Sequence, residues 1–445
     1  MTDSLAAIVM AAGLGTRMKS ALPKHLHPLL GRRLVDWSLE AVRPLSPAPL
    51  VLVTSPQARG ELASSLDDGV DVAVQEEPRG TGDAVAAAKA ELAGFEGDVL
   101  VVPGDSPLLT PAVLEELVEE HRRERAAVTL LSVEADKPLP YGRILRDETG
   151  SVRRIVEERD ATPEERAVRE LNASVYVFSA RDLWWALQWL EADNVQGELY
   201  LTDTIRHLVD DGRRVGVRSG SDPTAVLGVN TRAELADAAA VLRTRILTEH
   251  MLAGVTILDP ATTWVDPDVV IEPDAVVHPF TVLRGRTVVG REAHVGPHVV
   301  AVDAAIGARV VVGPFCSLRP GTVLEEGAKA GTFVEIKSAT VGKRAKVPHL
   351  SYIGDAEIGE DSNIGAGAIT ANYRAERYPG KQRTVIGRNV HTGSDNVFVA
   401  PLEIGDNAWV GAGSTITENV PPGALAIARA RQVNKEDYDD RRRKD

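Results

Sequence analysis

The sequence predicts two architectures in succession: an α/β domain on a Rossmann-like, mainly parallel sheet, then a parallel β-helix of hexapeptide repeats. Three observations carry this. Aliphatic residues recur every six positions at Val277, Leu283, Val289 and Val295, then at Val312, Leu318 and Leu324. After short phase slips the beat resumes at Val347 and Ile353, at Ile358 and Ile364, and at Phe398, Ile404, Val410 and Ile416. Gly or Pro stands beside many of them, as in VGPFCS, IGAGAI and VGAGST, whereas the N-terminal half alternates short aliphatic runs with helical patterns. A short fixed period marks a repeat whose units bury their apolar face only by stacking. Six residues suit one flat side of a triangular coil, with Gly and Asn at corners that β-branched residues cannot turn.

Composition narrows the function. The chain has 445 residues, enough for two or three domains, and only 4% aromatics, as thin Val, Ile and Ala stacking requires. A formal net charge of −14 argues against a general nucleic-acid or anionic-membrane binder, so phosphate chemistry must rest on local basic residues. The single Cys316 excludes an intramolecular disulfide and suits a reducing cytoplasm. The start, MTDSLAAIVMAAG, does not read as a signal peptide, and no apolar run approaches the ~20 residues of a membrane span.

Taken in order, LAAIVM (residues 5–10) reads as a buried first strand, followed by PLVLVT (49–54) and DVLVVPGD (98–105). Between them DAVAAAKAELAG reads as a helix closing on Gly94. Strand–helix alternation gives a parallel sheet, whose ligands sit at the carboxyl ends of the strands, where AAGLGTRMK and PGDSPLL fall. Strands and turns continue to AVLGVN. Leu235, Ala238, Leu242 and Ile246 then lie at helical spacing. The expected domains are residues 1–231, a linker helix over 232–252, and a repeat domain over 253–445 whose charged tail, NKEDYDDRRRKD, frays.

Gly13 and Gly15 flank Leu14 after the first strand, with Thr16, Arg17 and Lys24 following. Such a loop lets backbone N–H groups approach phosphate while the cations neutralise it. Alone, the pattern equally fits an ordinary strand-to-helix turn: Met18 replaces the third Gly of a dinucleotide fingerprint, and GxxxxGK[ST] is absent. The ordered set GxGTRM and Pro23-Lys24 resembles the signature of sugar-1-phosphate nucleotidylyltransferases. That resemblance implies nucleotide contacts from Met10, Ala11, Ala12, Gly13, Arg17, Lys24, Gln75, Gly80 and Thr81. It further implies sugar-phosphate contacts from Gly142, Glu157, Asn172 and Asn230, and Mg²⁺ ligation by Asp105 and Asn230. Two ligands suffice for a hard ion that takes many phosphate oxygens. Departures from the family pattern are Pro103 before Gly104, and Ala173-Ser174 after Asn172 where Thr or Ser and then Gly are usual.

In the repeats, residues 319–373 concentrate polar groups. The stretch VPHLSYIGDAEIGEDSNIGAGAITANY resembles glucosamine-1-phosphate acetyltransferases. There a His takes the amine proton as the amine attacks the acetyl-CoA thioester, and His349 matches it. The resemblance implies sugar-phosphate contacts from Arg319, Lys337, Tyr352 and Asn363. It implies acetyl-CoA contacts from Ala366, Asn372, Tyr373, Ser394, Ala412 and Arg429. His278, His294 and His298 read as corner or surface residues, and Cys316 as structural. A basic loop interrupts the beat at residues 371–385, with Arg374-Ala375 where relatives read Asp-Gly. The coil through VDAAIG is short.

With both motif sets in order over about residues 5–430, the chain resembles the bacterial bifunctional N-acetylglucosamine-1-phosphate uridyltransferase and glucosamine-1-phosphate acetyltransferase family. This implies a left-handed β-helix and synthesis of UDP-GlcNAc, a cell-wall glycan precursor. It also implies Mg²⁺, the substrates UTP, GlcNAc-1-phosphate, glucosamine 1-phosphate and acetyl-CoA, and a cytoplasmic homotrimer. A nucleotidylyltransferase with altered or lost acyl transfer, and a non-catalytic subunit of a nucleotide-exchange complex, are the competing readings. A zinc hydratase on the same β-helix needs a metal-spaced His cluster, which His349 and distant His391 do not form.

Overall fold

The computed structural model describes residues 4–442, apart from 65, 67, 68, 136–138, 221 and 374–379. The chain divides into two compact units, residues 1–242 and 243–445, and the division falls within the helix Arg232–Leu252.

The first unit is built on a nine-stranded sheet. Its strands are β1 (Leu5–Ala11), β2 (Leu50–Thr54), β3 (Asp71–Val74), β4 (Asp98–Pro103), β5 (Val128–Glu134), β6 (Arg143–Arg146), β7 (Val152–Val156), β8 (Glu170–Ser179) and β9 (Val215–Gly220). The spatial order is β9-β5-β8-β4-β1-β2-β3, with the β6–β7 hairpin attached to β8. Only β8 runs antiparallel to its neighbours along this path. All three strands expected from the aliphatic runs form, whereas β3, four residues long and opened by Asp71, escaped that pattern.

Alternation along β1 assigns its side chains to two cores. Ala7 and Val9 pack with Val35, Leu39, Leu62, Leu114 and Leu117 from helices Leu34–Val42, Pro56–Ala63 and Pro111–Glu124. Ala6 and Ile8 pack with Val85, Leu183, Ile205 and Leu208 from Thr81–Ala87, Ala180–Ala186 and Asp203–Asp210 on the opposite face. The helix expected to run to Gly94 stops at Ala87. Beyond it the bonds tighten to i→i+3, from Ala88 N to Val85 O and from Lys89 N to Ala86 O, both 3.1 Å. Leu242 and Ala238 bury against Leu34, Leu108 and Val229.

The second unit is the left-handed β-helix. Its first face is a six-stranded parallel sheet from Thr256–Ile257 to Lys346–His349, resumed by a three-stranded sheet through His391–Thr392 and Trp409–Val410. The second face has nine strands, from Trp264–Val265 to Thr415–Ile416, and the third eight, from Val270–Ile271 to Leu402–Ile404. Every aliphatic residue of the six-residue beat is buried. Where the beat lapses, Thr370 and Thr392 take the inward position. Thr is nearly isosteric with Val, and Thr370 Oγ1 satisfies itself by donating to Gly354 O at 2.9 Å. The short coil loses one residue but keeps its core: Ala305 pairs with Val288, and Ala301 and Ile306 point inward. The tail, expected to fray, carries the short helix Tyr438–Arg442. Arg374 and Ala375 lie outside the described residues.

One feature was not expected. Phe280, His298, Phe315, Phe333 and Leu350 occupy successive turns of one edge, all with φ between 50° and 58°. Their rings stack at 4.7, 4.7 and 5.1 Å from Phe280 to Phe333. Phe280, Phe315 and Phe333 remain about half exposed.

Phe398 fills the inside of a coil at 0% exposure. Phe398→Ala should cost about 3–5 kcal/mol in urea unfolding of the β-helix, followed by far-UV circular dichroism. Phe333→Ala, on the exposed ladder, should cost far less; equal losses would contradict this assignment of inside and edge.

Candidate functional sites

Strands β1, β3 and β4 end along one edge of the sheet, so the segments after them converge. They line an open cleft of about 630 Å³ that takes in Met10, Ala12, Gly13, Arg17, Lys24, Gln75, Gly80, Thr81, Asp105, Gly142, Glu157 and Asn230. Ala11 and Asn172 do not reach its surface: both are buried beneath it.

Gly15 has φ +61°, and a Cβ there would collide with Lys24 Cβ, so only glycine lets the loop fold over this lysine. Lys24 Nζ donates to Asp105 Oδ2 and, at 3.2 Å, to Asn230 Oδ1, which also accepts from Arg17 Nη2 at 2.9 Å. Asn230 is itself placed by a helix cap. Its N–H and that of Thr231 both donate to Glu234 Oε2 at 2.7 Å, and Glu234 N donates back to Thr231 Oγ1 at 3.2 Å.

Burial opposes the charge of Asp105, yet the Lys24 ammonium outweighs it and holds the carboxyl below the usual carboxylate range. His25 is kept neutral: burial first, and Lys24 second, lower its pKa to about 3. The oxygens of Asp105 and Asn230 thus converge on one cation, with an ammonium standing where a metal ion could be held. That donor set fits Mg²⁺ completed by phosphate and water oxygens. Among the described residues no group of three or more His, Cys, Asp or Glu side chains is arranged to hold an ion without such help.

At one end of the cleft, Gln75 Nε2 donates to Gly80 O at 3.0 Å and Asp83 Oδ2 at 2.9 Å, which leaves its amide oxygen as an acceptor. Gly80 has φ +116°, and its backbone lies against Leu199 too closely for any side chain. At the far end, burial pushes the Glu157 carboxyl up, against a hydrogen bond from Thr202 Oγ1 at 2.9 Å. Gly142 faces Glu157, with no room for a Cβ beside Ile155.

The Asn172 amide donates to Tyr176 Oη at 2.6 Å, and Ala173 and Ser174 face the cleft instead. Ser174 has φ +58°, the left-handed value at the place where the family pattern has Gly. His25, Tyr141, Arg159, Gln196 and Glu198 also line the cleft. Their residue types carry no local signal for a site.

In the β-helix the candidate residues fall on two edges and two faces. Along one edge Gly367 N donates to His349 O (3.3 Å), Asp395 N to Ala366 O (2.7 Å) and Gly413 N to Ser394 O (2.8 Å). His349, Ala366, Ser394 and Ala412 are thereby stacked in successive coils, and the Arg429 side chain lies beside Gly413 at the lower end. His349 is exposed. This column runs along the same edge as the aromatic ladder, one residue before it in each coil.

On the next edge Arg319 and Lys337 sit one coil apart, since Leu318 pairs with Ile336. Arg319 Nη1 donates to Glu335 Oε1 at 2.9 Å. Lys381, abutting Lys337, holds that ammonium below the usual lysine range. Tyr352, on the face between the edges, has its hydroxyl 3.4 Å from the Asn372 amide, and Tyr373 is exposed beside it. Asn363 lies on the first face, between Lys346 and His391, and does not join the Tyr352 group. Cys316 Sγ donates to Gly331 O at 2.7 Å, and burial pushes its thiol up, away from a nucleophilic thiolate.

Comparison with known proteins adds an independent finding. Residues 7–190 match the MobA-like NTP transferase domain family. Over its whole length the chain is similar to proteins named bifunctional protein GlmU. Identity is 48% with that of Mycolicibacterium vanbaalenii, covering 98% of this chain and 93% of the relative. It is 46% with that of Mycobacterium bovis (98% and 92%) and 45% with that of Corynebacterium glutamicum (99% and 95%).

Since the Lys24 ammonium and a metal ion would compete for the same two oxygens, Lys24→Met should bind Mn²⁺ about tenfold or more tightly than the wild type without nucleotide. Titration by electron paramagnetic resonance reads this directly. Unchanged or weaker binding would show that the lysine does not hold the cation position.

Proposed function

The chain belongs to the family of bifunctional GlmU proteins, and on that premise we propose how its two units divide the synthesis of UDP-GlcNAc. The β-helix acetylates glucosamine 1-phosphate with acetyl-CoA. The α/β unit then transfers UMP from UTP to the resulting GlcNAc-1-phosphate and releases pyrophosphate. The observation that carries the reading is the convergence of Lys24, Arg17, Asp105 and Asn230 in one cleft, on a chain otherwise strongly acidic.

In the cleft, the loop at Gly13 gives backbone N–H groups to the triphosphate, while Arg17 and Lys24 neutralise its charge. Gln75 and the Gly80–Thr81 turn hold the uracil. Glu157 and Gly142 border the sugar, whose phosphate oxygen attacks the α-phosphorus in line as pyrophosphate leaves. Asp105 and Asn230 would hold Mg²⁺, which when bound offsets charge on the reacting phosphates. The chain's own part is positioning and charge neutralisation, which suffices for phosphoryl chemistry of this kind.

On the β-helix, Arg319 and Lys337 take the sugar phosphate and Tyr352 meets the sugar, while Asn363, on the first face, would meet it from a neighbouring copy. His349 accepts the amine proton as the nitrogen attacks the thioester carbonyl, and the CoA sulfur leaves. Small residues at Ala366 and Ala412 let the pantetheine arm lie along the edge, towards Arg429. The spread of these residues over two edges fits a site completed by neighbouring copies. The exposed ladder from Phe280 to Phe333, on the same edge as the His349 column, supplies the apolar seam for such a homotrimer. Both nucleotide and thioester substrates, and the single Cys316, suit the cytoplasm.

His349→Ala should abolish CoA release from acetyl-CoA and glucosamine 1-phosphate while leaving pyrophosphate release nearly intact. Asp105→Ala should do the reverse. Loss of both activities in either folded variant would overturn the two-site division.

A further inference from the structure

We propose that Arg143 is a positioning residue for the sugar end of the cleft: it sets the spacing between the lining segments 140–142 and 157–159. The proposal rests on reading that end as the sugar pocket.

Arg143 opens β6 and is 1% exposed, among the largest fully buried side chains of the protein. Its guanidinium reaches both segments. Nη1 donates to the carbonyl of Tyr141, and Nη2 lies 2.6 Å from Glu158 Oε2. Glu158 is anchored from its other side by Arg166, which donates to the Glu158 carbonyl at 3.3 Å and 3.2 Å. On either side of these anchor points stand the residues that face the cleft, Tyr141 and Gly142 on one wall, Glu157 and Arg159 on the other.

The spacing between the walls has little slack. A Cβ on Gly142 would come within 2.9 Å of Ile155 Cγ2 and 3.6 Å of Glu157 Oε1. Two further bonds carry the position of this wall to the rest of the site. Asn172 N donates to Gly142 O at 2.8 Å, and Gly228 N, two residues before Asn230, donates to Tyr141 Oη at 2.7 Å.

Stability alone is a poor reason to bury this side chain. An apolar residue of similar volume generally serves a core as well as a buried ionic group, whereas a guanidinium reaches acceptors on two segments at once. A lysine at the same place keeps the charge, but its single ammonium cannot reach the Tyr141 carbonyl and the Glu158 carboxylate from two separate nitrogens.

The test is steady-state kinetics of pyrophosphate release with UTP and GlcNAc-1-phosphate varied separately, on Arg143→Lys, Glu158→Gln and Glu157→Ala. Each variant is checked by thermal melting and by its acetyltransferase rate. Arg143→Lys should raise KM for the sugar phosphate by on the order of tenfold and leave KM for UTP within about twofold, because only one end of the cleft loses its geometry. Glu158→Gln, a milder change that keeps the fold testable should the arginine variant melt early, should move the same KM in the same direction.

A folded Arg143→Lys or Glu158→Gln enzyme whose two KM values stay put, or rise together, overturns the proposal. Glu157→Ala separates the two levels. If it raises the sugar KM while the Arg143 and Glu158 variants do not, the pocket stands and the positioning role falls. If Glu157→Ala also leaves that KM unchanged, the sugar-pocket reading itself is wrong.

Discussion

The pairing of Lys24 with Asp105 is the constraint on which the α/β unit depends. An ammonium and a carboxylate withdrawn from water each carry a penalty of several kcal/mol, so neither is tolerable there without the other. Their meeting requires three separate pieces of chain to arrive together: the loop after β1, which passes over Lys24 only because Gly15 is left-handed; the end of β4; and the cap of the helix that begins at Arg232. The same pair solves a problem set by composition. A chain with net charge −14 repels polyanionic substrates at long range, and a walled cluster of cations lets it bind them at short range.

The β-helix obeys a different constraint. Inward positions are consumed by Val, Ile, Leu and Ala with the occasional Thr and Phe398, and backbone N–H groups bond to the next coil, so only edges and outer faces are free for chemistry. Stacking places equivalent edge residues roughly 4.8 Å apart. A column such as His349, Ala366, Ser394 and Ala412 therefore offers one imidazole at the head of a smooth strip. The aromatic ladder runs beside that strip, one residue on in each coil.

Much of this was legible in the residues. Period six identifies the coil, because every sixth residue must point inward, and the three strands with unbroken aliphatic runs stand out. The loop from Gly13 to Lys24 points to phosphate only through its resemblance to a family signature, since its spacing alone equally fits an ordinary turn. Other features depend on contacts that no local pattern encodes. Asn172 carries the expected residue type, yet its amide turns to Tyr176 and leaves Ser174 at the cleft. His25 gives no hint of neutrality until it is seen buried beside Lys24. The ladder was visible in principle, since Phe280, His298, Phe315 and Phe333 recur at coil spacing, but the aliphatic beat does not mark that position. The role argued for Arg143 rests on tertiary contacts altogether.

The most direct test of the account follows one acetyl group. Wild-type protein is given glucosamine 1-phosphate, UTP, Mg²⁺ and acetyl-CoA labelled in the acetyl carbon, and the products are separated over time. Label should enter GlcNAc-1-phosphate first and then accumulate in UDP-GlcNAc, with omission of UTP halting it at the sugar phosphate. Label that never leaves acetyl-CoA, or that never passes from GlcNAc-1-phosphate into the nucleotide sugar, would contradict the claim that one chain performs both transfers.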